Sequence, residues 1–191
     1  VMARSVADAA LLLGVLCGSE AMRAAAPVPL RFGLTLTSRA PALSQSIVAM
    51  VEHAASRLGT AGASVASAPW PAPFDVLFDA LFDAQRTVQL YETARALAPE
   101  WQYRRRQLSP GLRALLVEGQ GVTPAAYAAA LQAAAHGTAS IERLFGDADI
   151  LLTAAATGAA PRSLASTGDP LFSRPWQLLG CPCLTLPGGL D

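Results

Sequence analysis

The chain has 191 residues, of which 52% are apolar and 15% charged, and its fourteen basic residues balance its fourteen acidic ones. This composition excludes intrinsic disorder, which combines low hydrophobicity with high net charge, and the length suits a single domain spanning residues 1–191. Because the chain has no net positive charge, nucleic-acid binding is not expected as a main function.

The first third of the chain predicts a helix followed by a β-α-β unit. Ser5 and Asp8 have the spacing of a capping box, and the apolar residues after them predict a helix of about three turns with a buried face. Residues 30–36 predict a strand, 41–59 a helix and 62–66 a second strand. This order indicates an α/β fold, in which helices cover a sheet.

The remainder of the chain is mainly helical. The strongest helical pattern covers residues 74–97, and further helices are predicted to begin at Ser109 and at Thr123. The last elements are then a buried strand at 149–153, a short helix at 172–179 and a closing strand at 183–186.

Two charged patterns can be interpreted either as functional sites or as ordinary solvent-exposed surface. Asp75, Asp79 and Asp83 recur every four residues, which suits either a metal-binding edge or, as we prefer, a solvated helix face. The arginine triplet 104–106 has no second basic cluster, so we interpret it as a surface turn rather than a nucleic-acid contact.

Cysteine and histidine usage bears on compartment and metal binding. The three cysteines, Cys17, Cys181 and Cys183, predict no disulfide framework, and a cytoplasmic location is expected. His53 and His136 lie far from the cysteines in sequence, so no metal site is expected. No apolar run is long enough to span a bilayer, and we predict neither an export signal nor a membrane partner.

A search for catalytic patterns finds no complete constellation. The chain contains no lysine, and it has neither a phosphate-binding loop nor a Gly-x-Ser-x-Gly motif. Cys181 and Cys183 flank a proline without a neighbouring cation, so we interpret them as core thiols. A small α/β enzyme that uses one of these thiols remains a minor alternative.

Three segments resemble the amidase-signature family. The opening Val1–Leu16 is similar to that family's Gly-Pro-Met-Ala-Arg-Ser-Val segment, with Val1 in the place of the proline. Residues 147–153 resemble its "aspartate, aliphatic run, threonine, proline" strand, with Ala154 replacing the proline. Residues 166–187 resemble the segment that leads to its Gly-x-Pro strand. The three segments occur in the family's order.

The resemblance implies an enzyme that cleaves carboxylic amide bonds through a serine nucleophile. In that family a second serine, on a cis peptide, and a lysine activate the nucleophile, and backbone N–H groups hold the oxyanion. All of these groups belong to the part of the family that precedes Val1. The resemblance therefore predicts a partial amidase domain with a mixed β-sheet covered by helices, truncated at both ends. It assigns no catalytic residue to this chain, implies no cofactor, and predicts that the chain alone is inactive.

The same resemblance places part of a substrate pocket at residues 166–176. Thr167, Gly168 and Asp169 predict a small polar turn that allows close approach of a ligand, and Phe172 and Trp176 would present two aromatic surfaces on one side of a helix. The plain alternative is that both rings belong to the core. We expect Arg174, between them, to form an ion pair.

The expected partner of the complete protein is a small-molecule amide, and a homo-oligomer is left open. The alternative from a different functional class is a non-catalytic α/β remnant or scaffold, which would bind a protein partner through an exposed sheet edge.

Overall fold

The computed structural model describes residues 1–19, 29–68, 70, 73–164 and 166–189. Its sheet has three strands in the order β2-β1-β3, with β1 in the centre. The strands are β1 (Arg31–Leu34), β2 (Ser64–Ser67) and β3 (Ile150–Leu152). Both neighbours pair with β1 in parallel. The α/β class is confirmed, whereas the expected mixed sheet is not observed, because the described strands all run in one direction.

The described part of the chain contains seven α-helices. They are α1 (Val6–Cys17), α2 (Gln45–Thr60), α3 (Pro73–Ala96), α4 (Ala98–Arg104), α5 (Pro110–Gln120), α6 (Pro124–Phe145) and α7 (Arg174–Leu178). The predicted β-α-β unit corresponds to β1, α2 and β2. Arg104 is the last residue of α4, and Arg105 and Arg106 lie in an exposed 3-10 turn, as the surface interpretation requires.

Local capping explains where several helices begin. Ser44, Ser109 and Thr123 are N-caps whose side-chain oxygens accept the backbone N–H of the third residue of α2, α5 and α6, respectively. Proline follows at the start of α5 and α6, where its missing N–H costs no helical hydrogen bond. Ser5 caps α1 in the same way and donates its hydroxyl to the Asp8 carboxylate.

The two faces of the sheet carry two separate apolar clusters. Side chains of successive strand residues point to opposite faces, so adjacent residues of β3 enter different clusters. Leu152 belongs to the first cluster, around Val51 of α2, and Leu151 belongs to the second, around Phe78 of α3. The core is therefore divided between the α2 side and the α3 side of the sheet.

Glycines allow α3 to lie close to α5 and α6. A Cβ on Gly119 of α5 would come within 2.2 Å of the Leu90 carbonyl oxygen of α3. A Cβ on Gly137 of α6 would meet the side chains of Leu81 and Leu179 at 2.9 Å and 2.7 Å. These contacts fix the helices of the α3 side against one another.

Two predicted elements differ in the structure. Helix α1 forms with the predicted cap, but none of its twelve residues is buried, so the expected buried face is wrong. Residues 183–186 do not form a strand, because they have no partner strand in the described part of the chain. The buried face of α1 and the strand at 183–186 would each need a packing or pairing partner, and the described residues do not supply one.

Candidate functional site

The carboxyl ends of the parallel strands meet at one edge of the sheet, where open α/β folds place their ligands. Chain segments leave β1 at Thr35 and β3 at Thr153, and the Thr35 N–H donates to the Leu152 carbonyl at 3.0 Å. The two segments are therefore neighbours at this edge. Nearby, the Ser44 N–H at the start of α2 donates to the Thr157 carbonyl at 2.8 Å.

Several polar side chains at this edge are inaccessible to solvent. The hydroxyls of Thr35, Ser38 and Thr153 find no hydrogen-bond partner among the described residues, and Thr35 is only 3% exposed. A buried hydroxyl without a hydrogen-bond partner costs free energy. The polar side chains at this edge are therefore not stabilised by hydrogen bonds to other described residues. Sequence analysis missed these residues, although a threonine directly after each of two strands was a visible signal.

Thr37 adds backbone strain at the same edge. It is 5% exposed and has φ of 60°, a conformation that β-branched residues rarely adopt. The Arg39 N–H donates to its hydroxyl at 3.2 Å, which helps to hold the turn. The loop between β1 and α2 is thus specifically shaped rather than a loose connection.

The predicted polar turn at 167–169 lies on the surface. Thr167, Gly168 and Asp169 are exposed, and the Gly168 N–H donates to the Ser166 hydroxyl at 3.1 Å. Gly168 has φ of 98°, which requires glycine, while the nearest atom to an added Cβ would be 3.8 Å away. The turn is open enough for a ligand to approach its backbone.

The two predicted aromatic residues do not lie on one side. Phe172 precedes α7 and, at 1% exposure, packs with Val51 and Ala154 in the cluster on the α2 side. Trp176 lies within α7 and joins the cluster on the α3 side. The expectation of one shared aromatic surface is wrong, because the helix begins only at Arg174. Whether either ring contacts a substrate remains a prediction.

Trp176 belongs to an aromatic cluster with Trp70 and Phe78. Its ring centroid lies 6.1 Å from that of Trp70 and 6.2 Å from that of Phe78, both in edge-to-face geometry. The space beside these rings amounts to about 10 Å³, no more than one water molecule needs.

Arg174 does not form the expected ion pair with any described residue; its guanidinium lies 4.7 Å from the Phe82 ring centroid.

A larger groove lies between α3 and α7. Its volume is about 280 Å³, and its walls include Gln85, Gln89, Glu92 and Gln177. The groove is open to solvent and shares no residue with the predicted turn at 167–169. Its polar amides suit hydrogen bonding, and the residues that line it include neither a serine nor a cysteine.

The strongest electrostatic feature links β1 to the residue before β3. The Arg31 guanidinium donates to both Asp149 oxygens, at 2.7 Å and 3.2 Å, and the Arg31 backbone N–H donates to the same carboxylate at 2.9 Å. These bonds lower the pKa of Asp149 to about 2 and raise that of Arg31. Asp149 therefore fixes the junction of two strands and has no free proton to offer near neutral pH.

The thiols do not suit nucleophilic catalysis. Burial raises the pKa of Cys181 and of Cys183, so less thiolate is present at neutral pH than for a free cysteine. Cys181 packs against the α3-side cluster, as predicted for a core thiol, whereas Cys183 is exposed and contradicts that prediction.

Two members of the acidic stripe on α3, Asp79 and Asp83, are exposed, whereas the side chain of Asp75 lies outside the described residues. Asp79 forms an ion pair with Arg39, and the described residues contain no group of three histidine, cysteine or acidic side chains able to hold a metal ion. Among the same residues, no helix combines the length and the apolar character that crossing a membrane requires.

Comparison with solved structures relates this geometry to a known fold. The chain is similar to a crystal structure of an amidase, with a TM-score of 0.77 and 20% sequence identity. The likeness shows a shared fold. It covers 97% of this chain but 45% of the amidase chain, so the present chain spans less than half of that protein's length. No protein-family model and no curated protein matches the sequence.

Proposed function

We propose that this chain forms part of an amidase-signature hydrolase, which cleaves carboxylic amide bonds of small molecules through a serine nucleophile supplied from outside these 191 residues. The observation that carries the proposal is the likeness to an amidase structure over 97% of the chain. The segments around Val1–Leu16, 147–153 and 166–187 support it independently, because each resembles the family in sequence and they follow the family's order.

The chemistry must be divided between this chain and other residues. A serine nucleophile needs a base, and in the amidase-signature mechanism that base is a neutral lysine. The chain has no lysine, so it cannot supply the base itself. Its own contribution is to substrate binding, through the exposed turn at 167–169 and the buried groups near it in sequence or at the sheet edge: the Phe172 and Trp176 rings and the hydroxyls of Thr35 and Thr153.

The proposal is tested first by activity. The purified chain should hydrolyse aliphatic amides and anilides no faster than buffer, and a serine-reactive fluorophosphonate should not label it. The complete protein encoded by the reading frame that contains codons 1–191 should hydrolyse these amides and should be labelled by the fluorophosphonate. Rapid labelling of the isolated chain, or a complete protein that labels nowhere and hydrolyses no amide, would overturn the proposal and favour the scaffold alternative.

The substrate-binding part is tested by selectivity in the complete protein. We expect Phe172→Ala and Trp176→Ala to change the relative kcat/KM among amides of different size by roughly tenfold, since the loss of a wall residue affects large and small substrates unequally. Phe78→Ala and Trp70→Ala are the controls, because they remove the same ring types from the α3-side cluster, to which Trp176 also belongs. If all four variants lower every rate equally, the two rings serve only as core.

A further inference from the structure

Helix α1 presents apolar side chains in every direction. None of its twelve residues is buried, and Leu11, Val15 and Leu16 are 68%, 73% and 74% exposed. With about 3.6 residues per turn, Val15 lies half a turn around the helix from Val6, which is also exposed. The helix therefore has no polar face on which solvent would be preferred.

An all-round apolar helix belongs in the interior of a protein or in a membrane. Twelve residues of α-helix measure about 18 Å, whereas the hydrocarbon core of a bilayer is about 30 Å thick. A helix lying on a membrane surface needs a basic polar face, but the only charged residue of α1 is Asp8, which is engaged by the Ser5 hydroxyl. A membrane therefore does not suit this helix.

A contact with a second copy of the chain does not suit it either. Two chains that meet through one helix each cover one side of that helix and leave the opposite side exposed. In α1 the opposite sides are both apolar: Leu11 and Val15 lie along one, and Val6 and Leu13, which are 55% and 39% exposed, lie along the other. Burial of both requires polypeptide on more than one side.

We propose that α1 is a docking helix, enclosed by the polypeptide that supplies the rest of the fold shared with the amidase structure. The match covers 97% of this chain, so at least part of α1 is included in it, while 55% of the amidase chain has no counterpart here. That uncovered part is large enough to surround a twelve-residue helix. The identity of the partner as the remainder of an amidase rests on the proposed function, whereas the enclosure of α1 rests on its exposed apolar sides.

The test uses the polypeptides encoded in the same reading frame on either side of codons 1–191, produced separately and mixed with the intact chain. Two double variants remove the apolar character of opposite sides: Val6→Glu with Leu13→Glu, and Leu11→Glu with Val15→Glu. Val76→Glu on α3 is the matched control, because it places the same charge at an apolar helical position that is 78% exposed. Circular dichroism verifies that each variant retains its helical content.

The expected result is association of the mixed polypeptides that each double variant weakens by at least about tenfold and that Val76→Glu leaves unchanged. Loss of association in only one double variant would indicate a one-sided contact and overturn the proposal. Association that neither double variant weakens would also overturn the proposal, as would association of the chain only with itself. A reading frame that encodes no further part of the fold would overturn it as well. Amide hydrolysis is measured on the same mixtures, so a complex that forms through α1 without activity refutes the proposed function alone.

Discussion

Helices α1 and α3 show how differently apolar sequence can be used within one chain. Both are helical and rich in aliphatic or aromatic residues, but Phe78, Leu81 and Leu90 of α3 are at most 5% exposed, while α1 buries nothing. Helix α3 packs against α5, α6 and α7, which together close the α3 side of the sheet. The comparison shows that composition predicts which helices tend to be buried, but that a helix is buried only where another surface packs against it.

The largest expected difference between α1 and α3 is in the loss of stability when a large side chain is removed from each helix. We expect Phe78→Ala to lower the free energy of unfolding by about 3–5 kcal/mol, because the ring is 2% exposed and surrounded by aromatic neighbours. Leu16→Ala should change it by less than about 0.5 kcal/mol, because Leu16 is exposed. Chemical denaturation of both variants measures the difference. Similar losses would show that α1 is packed in solution.

A second variant tests how closely α5 approaches α3. Gly119→Ala should destabilise the chain by about 1–3 kcal/mol, because its Cβ would collide with the Leu90 carbonyl of a rigid helix backbone. Gly111→Ala, in the same helix, has open space around the new Cβ and should gain up to about 1 kcal/mol from helix propensity. Thermal unfolding of the pair gives both signs. A neutral Gly119→Ala would mean that α5 packs less tightly on α3.

The smallest expected effect concerns the pH dependence of stability. Because the pKa of Asp149 is lowered in the folded state, the unfolded chain binds more protons, and stability rises with pH between about 2 and 4. Asp149→Asn should remove part of this rise, since the amide has no carboxylate to titrate and no negative charge opposite Arg31. The measurement is denaturant unfolding at several pH values across that window. Asp83→Asn, an exposed acid without an ion pair in the described part, is the control. An unchanged slope in Asp149→Asn would contradict the assignment.

The elements that sequence predicted well are those set by nearby residues. Ser109 and Thr123 cap helices through contacts within three residues, so the starts of α5 and α6 could be derived from spacing alone. The start of α2 was predicted at Pro41, but the helix begins at Gln45 after the Ser44 cap. The buried strand β3 was recognisable because its apolar run is short and bounded by turn residues.

The features that sequence missed depend on distant partners. The buried face expected for α1 and the strand expected at 183–186 need surfaces that the residues themselves cannot specify. Phe172 and Trp176 were placed on one helix by their spacing, but the helix begins between them and sends the rings to opposite sides of the sheet. Among the site residues, the exposed turn at 167–169 agrees with its composition, whereas the burial of Thr35 and Thr153 required the strand register.

Amide hydrogen exchange of the purified chain, resolved by segment, tests the central contrast most directly. An isolated helix of twelve residues is marginal in water, so we predict that the amides of α1 exchange nearly as fast as those of an unstructured peptide. The amides of α3 and α6 should be protected to the level of global unfolding. Protection of α1 equal to that of α3 would contradict the account, because it would show that α1 already has a packing partner within these 191 residues.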